Sequence, residues 1–243
     1  MVYRNFSTKN AGYVLQLGNH LIPNGHSITP LEDCDVVVLE KGRIKIPKDF
    51  DYYFRNSQMG IVAQMAKNMK KPIYICDIDT TNVGLLRDII SVTSAMSIPS
   101  LALPCYLSGT LPFLLFGPSL LLKEWNKGLF CNTNTFLHYL LQAPTTEARN
   151  AINARNLEEF VAPHISEKIG RKPKIGLVYG AGHSGLEFDL KHPRFRDMTI
   201  WNYRNLNFGK YAGLKKEEIN QVTEVNFVDK KPEFTFHDTN LFQ

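Results

Sequence analysis

The chain has 243 residues, of which 44% are hydrophobic and 21% are charged, a composition typical of a folded globular protein. The formal net charge is +5, and the 28 basic residues form no stripe that alternates with aromatic residues, which argues against a nucleic-acid-binding protein. The four cysteines form no Cys-x-x-Cys pair, which argues against a zinc ribbon or a redox pair. Cys34 and Cys76 border apolar runs and are predicted to be buried thiols in a reducing compartment. Because no secretory leader opens the sequence, a cytoplasmic location is expected.

Four apolar runs of strand length lie along the chain, and each is followed by a polar residue. They are residues 13–17 before His20, 36–39 before Glu40, 73–76 before Asp77, and 175–179 before His183. These runs do not alternate apolar and polar residues, which is typical of strands that are buried on both faces of a parallel sheet. The sequence therefore predicts a sheet with these four strands at its centre.

Helical patterns separate the predicted strands. One apolar stripe with lysines in its last turn consists of Phe54, Ile61, Val62, Met65 and Met69. A second helix is predicted to begin near Thr146, residues 198–203 are predicted as a further strand, and residues 223–239 are predicted as a C-terminal hairpin at a sheet edge. The predicted fold is α/β, a mixed central sheet flanked by helices. It forms a single domain over 1–243 with an apolar helical insertion around 89–142.

The insertion contains a long uncharged stretch, since no charged residue occurs between Asp88 and Lys123. Its length is sufficient to cross a bilayer, but four prolines and two glycines interrupt any spanning helix. Two readings stay open: a buried lid that gives the site an apolar wall, and membrane association through residues 89–122.

Two glycine turns each present a histidine at the end of a predicted strand. Gly18-Asn19-His20 follows the first strand, and Gly180-Ala181-Gly182-His183 follows the last. Ligands of open α/β folds bind at the carboxyl ends of the strands, so His20, His183 and Glu40 are predicted to share one cleft. Imidazoles and a carboxylate suit a divalent transition metal, or acid/base chemistry without one.

Two other motifs overlap these residues. Gly180, Gly182 and Gly185 match the dinucleotide fingerprint, but no acidic residue follows residues 198–203, and Arg204 stands there instead, so a nicotinamide enzyme is not expected. Asp77 and Asp79 resemble the strand-Asp-x-Asp turn of haloacid-dehalogenase-like phosphatases, in which Mg²⁺ assists an attacking aspartate.

The order of these motifs resembles the TraB/PrgY, GumN and Tiki superfamily, which is similar in turn to erythromycin-esterase-like and ChaN-like proteins. The matching residues are Glu40, Arg43, Arg155, Asn156, Gly180 and His183. The chain departs from the family pattern at Leu17, where a glycine is expected before His20, and at Ala154, where a glutamate is expected. Tiki members are described as metal-dependent proteases, and TraB/PrgY members are linked to peptide pheromones.

The resemblance implies a hydrolase of amide or ester bonds, with a hydrophobic peptide as the substrate. In that reading His20, Glu40 and His183 hold Mn, Co or Zn, while Gly180 and Gly182 let the backbone approach the bound group. The other residues implied in catalysis are Arg43, Arg155 and Asn156, and the two arginines are expected to pair with carboxylates. Two alternatives stay open: a binding-only member that sequesters a peptide or small ligand, and a Mg-dependent phosphatase that uses Asp77 and Asp79. The sequence gives no indication of the oligomeric state.

Overall fold

The computed structural model describes residues 2–18, 29–40, 58–77, 149–180, 183, 185–205, 220–229 and 231–241. The chain divides into two compact units. The first takes in the described residues of Met1–Ile78, Arg155–Ala181 and Lys216–Gln243, and the second takes in those of Asp79–Ala154 and Gly182–Lys215. The single domain over 1–243 stays a prediction.

The described part of the first unit contains a mixed seven-stranded sheet. Its strands are β1 (Val2–Ser7), β2 (Gly12–Gly18), β3 (Val36–Leu39), β4 (Ile73–Ile75), β5 (Lys174–Gly180), β6 (Gln221–Val228) and β7 (Lys231–Asp238). They are arranged in the order β1-β2-β5-β3-β4-β6-β7. The four central strands are parallel, and β1, β6 and β7 pair antiparallel at the two sides. This sheet with its flanking helices confirms the predicted α/β fold.

The four predicted strands are the four parallel ones. Every residue of β3 is buried, as are six of the seven residues of β5, which is what their uninterrupted apolar sequences predict. A Cβ atom on Gly176 in β5 would lie 2.8 Å from Cδ2 of Leu31, so a glycine lets the segment before β3 approach the sheet closely. Cys34 lies in the same cluster, and Cys34 and Cys76 are both buried free thiols, as predicted.

The helix between β3 and β4 is α1 (Gln58–Asn68). Its buried residues Val62, Ala63 and Ala66 pack into the apolar cluster of the sheet, and Met65 and Met69 pack at its border. The predicted stripe was wrong for Ile61, which is 50% exposed. Ile61 precedes Val62 directly, and one step of 100° around the helix is enough to turn it toward solvent.

The helical segment before β5 contains a π-helical turn. Residues 149–156 are helical, the π turn covers Leu157–Val161, and α2 (Ala162–Ile169) ends at Gly170, whose φ of 69° is left-handed. The turn places Glu158 in the interior, where its Oε1 accepts hydrogen bonds from Thr8 Oγ1 at 2.6 Å and Tyr13 Oη at 2.5 Å. Glu158 thereby fastens this segment to the first two strands of the sheet.

Two helices follow His183 in the second unit, α3 (Leu186–Lys191) and α4 (Pro193–Asn205). The strand predicted at 198–203 was wrong, because these residues belong to α4. The buried residues Arg196, Thr199 and Ile200 recur at the i, i+3, i+4 spacing of a helix, and Thr199 Oγ1 donates to the Phe195 carbonyl at 3.0 Å. The chain breaks between α3 and α4 at Pro193, which begins the second helix.

The predicted C-terminal hairpin is confirmed as β6 and β7. The two strands pair from Gln221 with Asp238 to Val228 with Lys231, and β7 is the outermost strand of the described sheet on this side. Asp229 begins the connection with a φ of 49°, the left-handed conformation that a two-residue hairpin loop requires.

In the described part of the chain, no helix is long and apolar enough to cross a membrane. The predicted apolar insertion at 89–142 lies outside the described residues. The lid and the membrane-associated surface therefore both stay predictions.

Candidate functional site

The carboxyl ends of the parallel strands meet at one edge of the sheet in the first unit. β5 lies between β2 and β3, and Gly18, the last residue of β2, is directly opposite Gly180, the last residue of β5. β3 ends at Leu39, opposite Val178. The strands that precede His20, Glu40 and His183 are therefore neighbours and parallel, as the sequence predicts. Carboxyl ends of such strands are where open α/β folds bind ligands.

Glu40 is the first residue after β3, and its backbone extends the ladder with β5. Its N–H donates to the Val178 carbonyl at 2.9 Å. Its side chain is half-buried, and the carboxylate accepts a hydrogen bond from the Gly180 N–H. The first backbone amide of the predicted glycine turn, that of Gly180, therefore orients the Glu40 carboxylate, which follows the neighbouring strand.

Asp77 follows β4 at the same edge and is 5% exposed. One of its carboxylate oxygens lies within 4.8 Å of a Glu40 carboxylate oxygen. Two carboxylates at this distance repel each other, and a bound cation is one way to offset that repulsion. Paired carboxylate oxygens are ligands suited to a divalent cation, so this pair could bind a metal ion.

Cys76 lies between β4 and Asp77 but does not add a nucleophile. Burial, and after it the Asp77 carboxylate, raises the pKa of the Cys76 thiol well above its ordinary value. Because only the thiolate reacts readily, Cys76 is an inert neutral thiol. The chemistry at this edge therefore rests on carboxylates.

His183 belongs to the second unit and is 3% exposed. Its Nδ1 lies 2.6 Å from Oδ1 of Asn150, which is fully buried on the helical residues 149–154 of the same unit. Because the amide oxygen only accepts, this contact requires a hydrogen on Nδ1, and in the neutral imidazole with that hydrogen the lone pair is on Nε2. An imidazole fixed in this tautomer is prepared to bind a metal or to take a proton through Nε2.

The sequence did not predict Asn150, although a signal was present. The dipeptide Arg-Asn occurs twice on one helical segment, at Arg149-Asn150 and at Arg155-Asn156, and the family pattern was matched to the second copy. The structure shows that the first copy supplies the partner of His183. A step of six residues advances about 240° beyond a full helical turn, so the two copies fit the sequence pattern alike but lie on different faces of the helix.

The second copy makes contacts of a different kind in the first unit. Arg155 Nε donates to Glu159 at 3.1 Å, one helical turn later. Asn156 is buried, and its Oδ1 lies 3.5 Å from the hydroxyl of Thr239, just after β7. The first contact lies within the helix, and the second connects the helix to the C-terminal segment. The catalytic roles of Arg155 and Asn156 stay predictions.

Other predicted site residues lie outside the described residues. They are His20, Arg43, Asp79 and Gly182. Their roles as a metal ligand, a carboxylate partner, a phosphatase aspartate and a ligand-binding glycine stay predictions.

The described residues also include a group that the sequence analysis missed. The ligand atoms of His164, Glu224 and His237 all lie within 4.8 Å of one another in the first unit. Together with the carboxylate pair, this group shows that the chain contains acidic and histidine side chains able to bind a metal. The one local signal was a glutamate at 224 inside the apolar run of β6.

Comparison with protein-family models, with curated proteins and with solved structures gives no match to this chain. The resemblance to the TraB/PrgY, GumN and Tiki superfamily therefore stays a prediction.

Proposed function

We propose that this protein is a metal-dependent hydrolase of amide or ester bonds. The observation that carries the proposal is the pair of carboxylates, Glu40 and Asp77, held within 4.8 Å at the carboxyl ends of two adjacent parallel strands. Proteins hold like charges together mainly where function requires them, because the arrangement reduces stability.

The residues at this edge have separate tasks in the proposal. Glu40 and Asp77 would hold a divalent Mn, Co or Zn ion, and the ion would supply a water molecule with a pKa near ~7. The Gly180 amide fixes the orientation of the Glu40 carboxylate. The sequence prediction adds His20 and His183, and the Asn150 contact supports His183 because it leaves Nε2 as the basic nitrogen.

The substrate is inferred from the sequence. A peptide is favoured by the resemblance, with Arg43 and Arg155 pairing with its carboxylates and residues 89–122 providing an apolar wall. A small ester or amide ligand requires the same metal and the same base. Whether the substrate is a peptide therefore needs a test that is separate from the test of hydrolysis.

Metal analysis of the purified protein is the first test. One equivalent of metal should be lost in Asp77→Asn and Glu40→Gln, while Asp33→Asn should keep it, because the Asp33 side chain is 87% exposed. The metal-loaded parent should hydrolyse members of a peptide and ester library, and His183→Ala should not. Metal binding without any turnover would favour the binding-only alternative, and a parent that binds no metal would refute the proposal.

A phosphatase is the second candidate, favoured by the position of Asp77 directly beyond the buried strand β4. Aspartate nucleophiles of such enzymes occupy the carboxyl end of a strand beside Mg²⁺. Hydrolysis of p-nitrophenyl phosphate that survives His183→Ala and disappears in Asp79→Asn would select this reading. Hydrolysis of peptides or esters that survives Asp79→Asn would select the first.

A further inference from the structure

A cluster of two histidines and one glutamate joins a helix to the C-terminal hairpin in the first unit. His164 is on α2, Glu224 is on β6, and His237 is on β7. We propose that these three side chains bind one divalent transition-metal ion, in a site made of residues other than the Glu40–Asp77 pair. The proposal does not depend on the hydrolase reading.

The ligand atoms converge on one oxygen. Glu224 Oε2 lies 2.9 Å from His237 Nε2 and 3.4 Å from His164 Nε2. In a tetrahedral site with metal–ligand distances of about 2.0–2.1 Å, neighbouring ligand atoms are about 3.3–3.4 Å apart. Both distances to the Glu224 oxygen are close to this spacing, and the two imidazole ligand atoms lie within 4.8 Å of each other.

The other carboxylate oxygen of Glu224 is held by separate donors. Lys168 Nζ donates to Oε1 at 2.8 Å, and Asn226 Nδ2 donates to it at 3.1 Å. These donors orient the carboxylate, with Oε2 directed at the two imidazoles, as hydrogen-bonded ligands of metal sites are oriented.

Aromatic packing holds the two imidazoles in place. The Phe160 ring stacks on His164 at a centroid distance of 5.4 Å and an interplanar angle of 14°, and it also contacts His237 at 5.1 Å. The side chains of His164 and His237 remain 25% and 20% exposed. An ion can reach the site, and a fourth ligand from solvent can complete its coordination.

The donor types indicate which ions fit. Two imidazoles and one carboxylate suit Zn²⁺, Co²⁺, Ni²⁺ or Cu²⁺, whereas Mg²⁺ and Ca²⁺ prefer oxygen ligands alone. Three protein ligands with one position for water is the arrangement of a zinc site that is open on one side. Lys168 is half exposed on the carboxylate side, and its charge should weaken binding without occupying a ligand position.

The test compares zinc bound by the chelator-treated full chain and by matched glutamine variants. His164→Gln and His237→Gln keep a hydrogen-bond donor for Glu224 but remove the imidazole, and His192→Gln changes an exposed histidine of the second unit. Each of the first two should lose one zinc equivalent, or at least about 100-fold in affinity, since even partners of metal ligands contribute 10–100-fold. His192→Gln should bind as the parent does, and Lys168→Gln should bind more tightly.

The two metal sites are separated by combining variants. Asp77→Asn should leave this zinc equivalent in place, and His237→Gln should leave the metal of the Glu40–Asp77 pair in place. Zinc binding that is unchanged in folded His164→Gln and His237→Gln, with folding checked by circular dichroism, would overturn the proposal. If these variants do not fold, Asp77→Asn is titrated with zinc and with cobalt instead. If this variant binds no zinc and shows no cobalt absorption in the visible range, the proposed site of His164, Glu224 and His237 is overturned as well.

Discussion

Asp77→Asn provides the sharpest test of the carboxylate pair, because its effect on stability should change sign with metal. In the metal-free protein, the substitution removes one of two negative charges whose oxygens lie within 4.8 Å. An asparagine keeps the size of the side chain and one accepting oxygen, but it replaces the other oxygen with a donor and removes the charge. The metal-free variant should therefore be more stable than the parent, and the metal-loaded variant should be less stable than the metal-loaded parent.

The separation of the carboxylates sets the size of the effect. Two unit charges at 4.8 Å, the upper bound on the separation, repel by about 1 kcal/mol in water-like surroundings and by about 3.5 kcal/mol at the effective dielectric constant of protein sites. Asp77 is buried and Glu40 is half-buried, so the substitution should stabilise the metal-free protein by at least about 1 kcal/mol. A metal at 100 times its dissociation constant stabilises the parent by about 2.7 kcal/mol, and the variant should not obtain this stabilisation.

Urea denaturation in EDTA and in saturating Mn²⁺, followed by circular dichroism, measures both quantities. Glu40→Gln should behave like Asp77→Asn, since its amide oxygen can still accept from Gly180. Asp33→Asn, on an exposed side chain, should shift the free energy of unfolding by less than about 0.5 kcal/mol in either buffer. An Asp77→Asn protein that is destabilised in EDTA and still responds to Mn²⁺ would refute the reasoning.

Three further predictions concern the first unit. Gly176→Ala should lower the free energy of unfolding by about 1–3 kcal/mol, because its Cβ would meet Leu31 at 2.8 Å, whereas Gly12→Ala has its nearest neighbour at 3.9 Å and should be nearly neutral in the same urea titration. Burial raises the pKa of the Cys34 thiol to about 11. The protonated thiol therefore contributes fully to the free energy of unfolding below pH 9, and this contribution is lost as the pH rises toward 11. The urea midpoint of the parent should fall over this pH range, and that of Cys34→Ala should not show this fall. Glu158→Ala removes the acceptor of two buried or half-buried hydroxyl groups and should cost about 2–4 kcal/mol, while an unchanged urea midpoint would contradict the observed network.

The sequence predicted the central strands well because strands that are buried on both faces have uninterrupted apolar sequences. Four uninterrupted apolar runs are the four parallel strands, and the turn residues before Pro232 identified the hairpin. β1 was missed because this edge strand mixes polar and apolar residues and contains no uninterrupted apolar run. The helix at 198–203 was read as a strand because a short apolar run fits either period, and only the buried positions separate them.

The sequence predicted that the strands before His20, Glu40 and His183 are adjacent, but it did not give the full order of the sheet. β5 inserts between β2 and β3, although more than 130 residues separate it from β3, so the meeting of Gly180 with Glu40 depends on long-range pairing. The same holds for His164 and Glu224, which are 60 positions apart and share no motif. Local patterns predicted which residues end strands, and the tertiary fold decided which of them meet.

The acidic side chains of the first unit differ in the groups that surround them, and the difference locates function better than burial alone. Glu158 is surrounded by hydroxyl donors, and Glu224 by a lysine, an amide and two imidazoles. Glu40, in contrast, accepts a backbone amide and has a second anion, Asp77, within 4.8 Å. Hydroxyl donors around a carboxylate suit a structural role, imidazoles beside a carboxylate suit a metal site, and an adjacent anion raises the free energy of the folded state until its charge is compensated. A cation bound by Glu40 and Asp77 would offset the repulsion between their carboxylates.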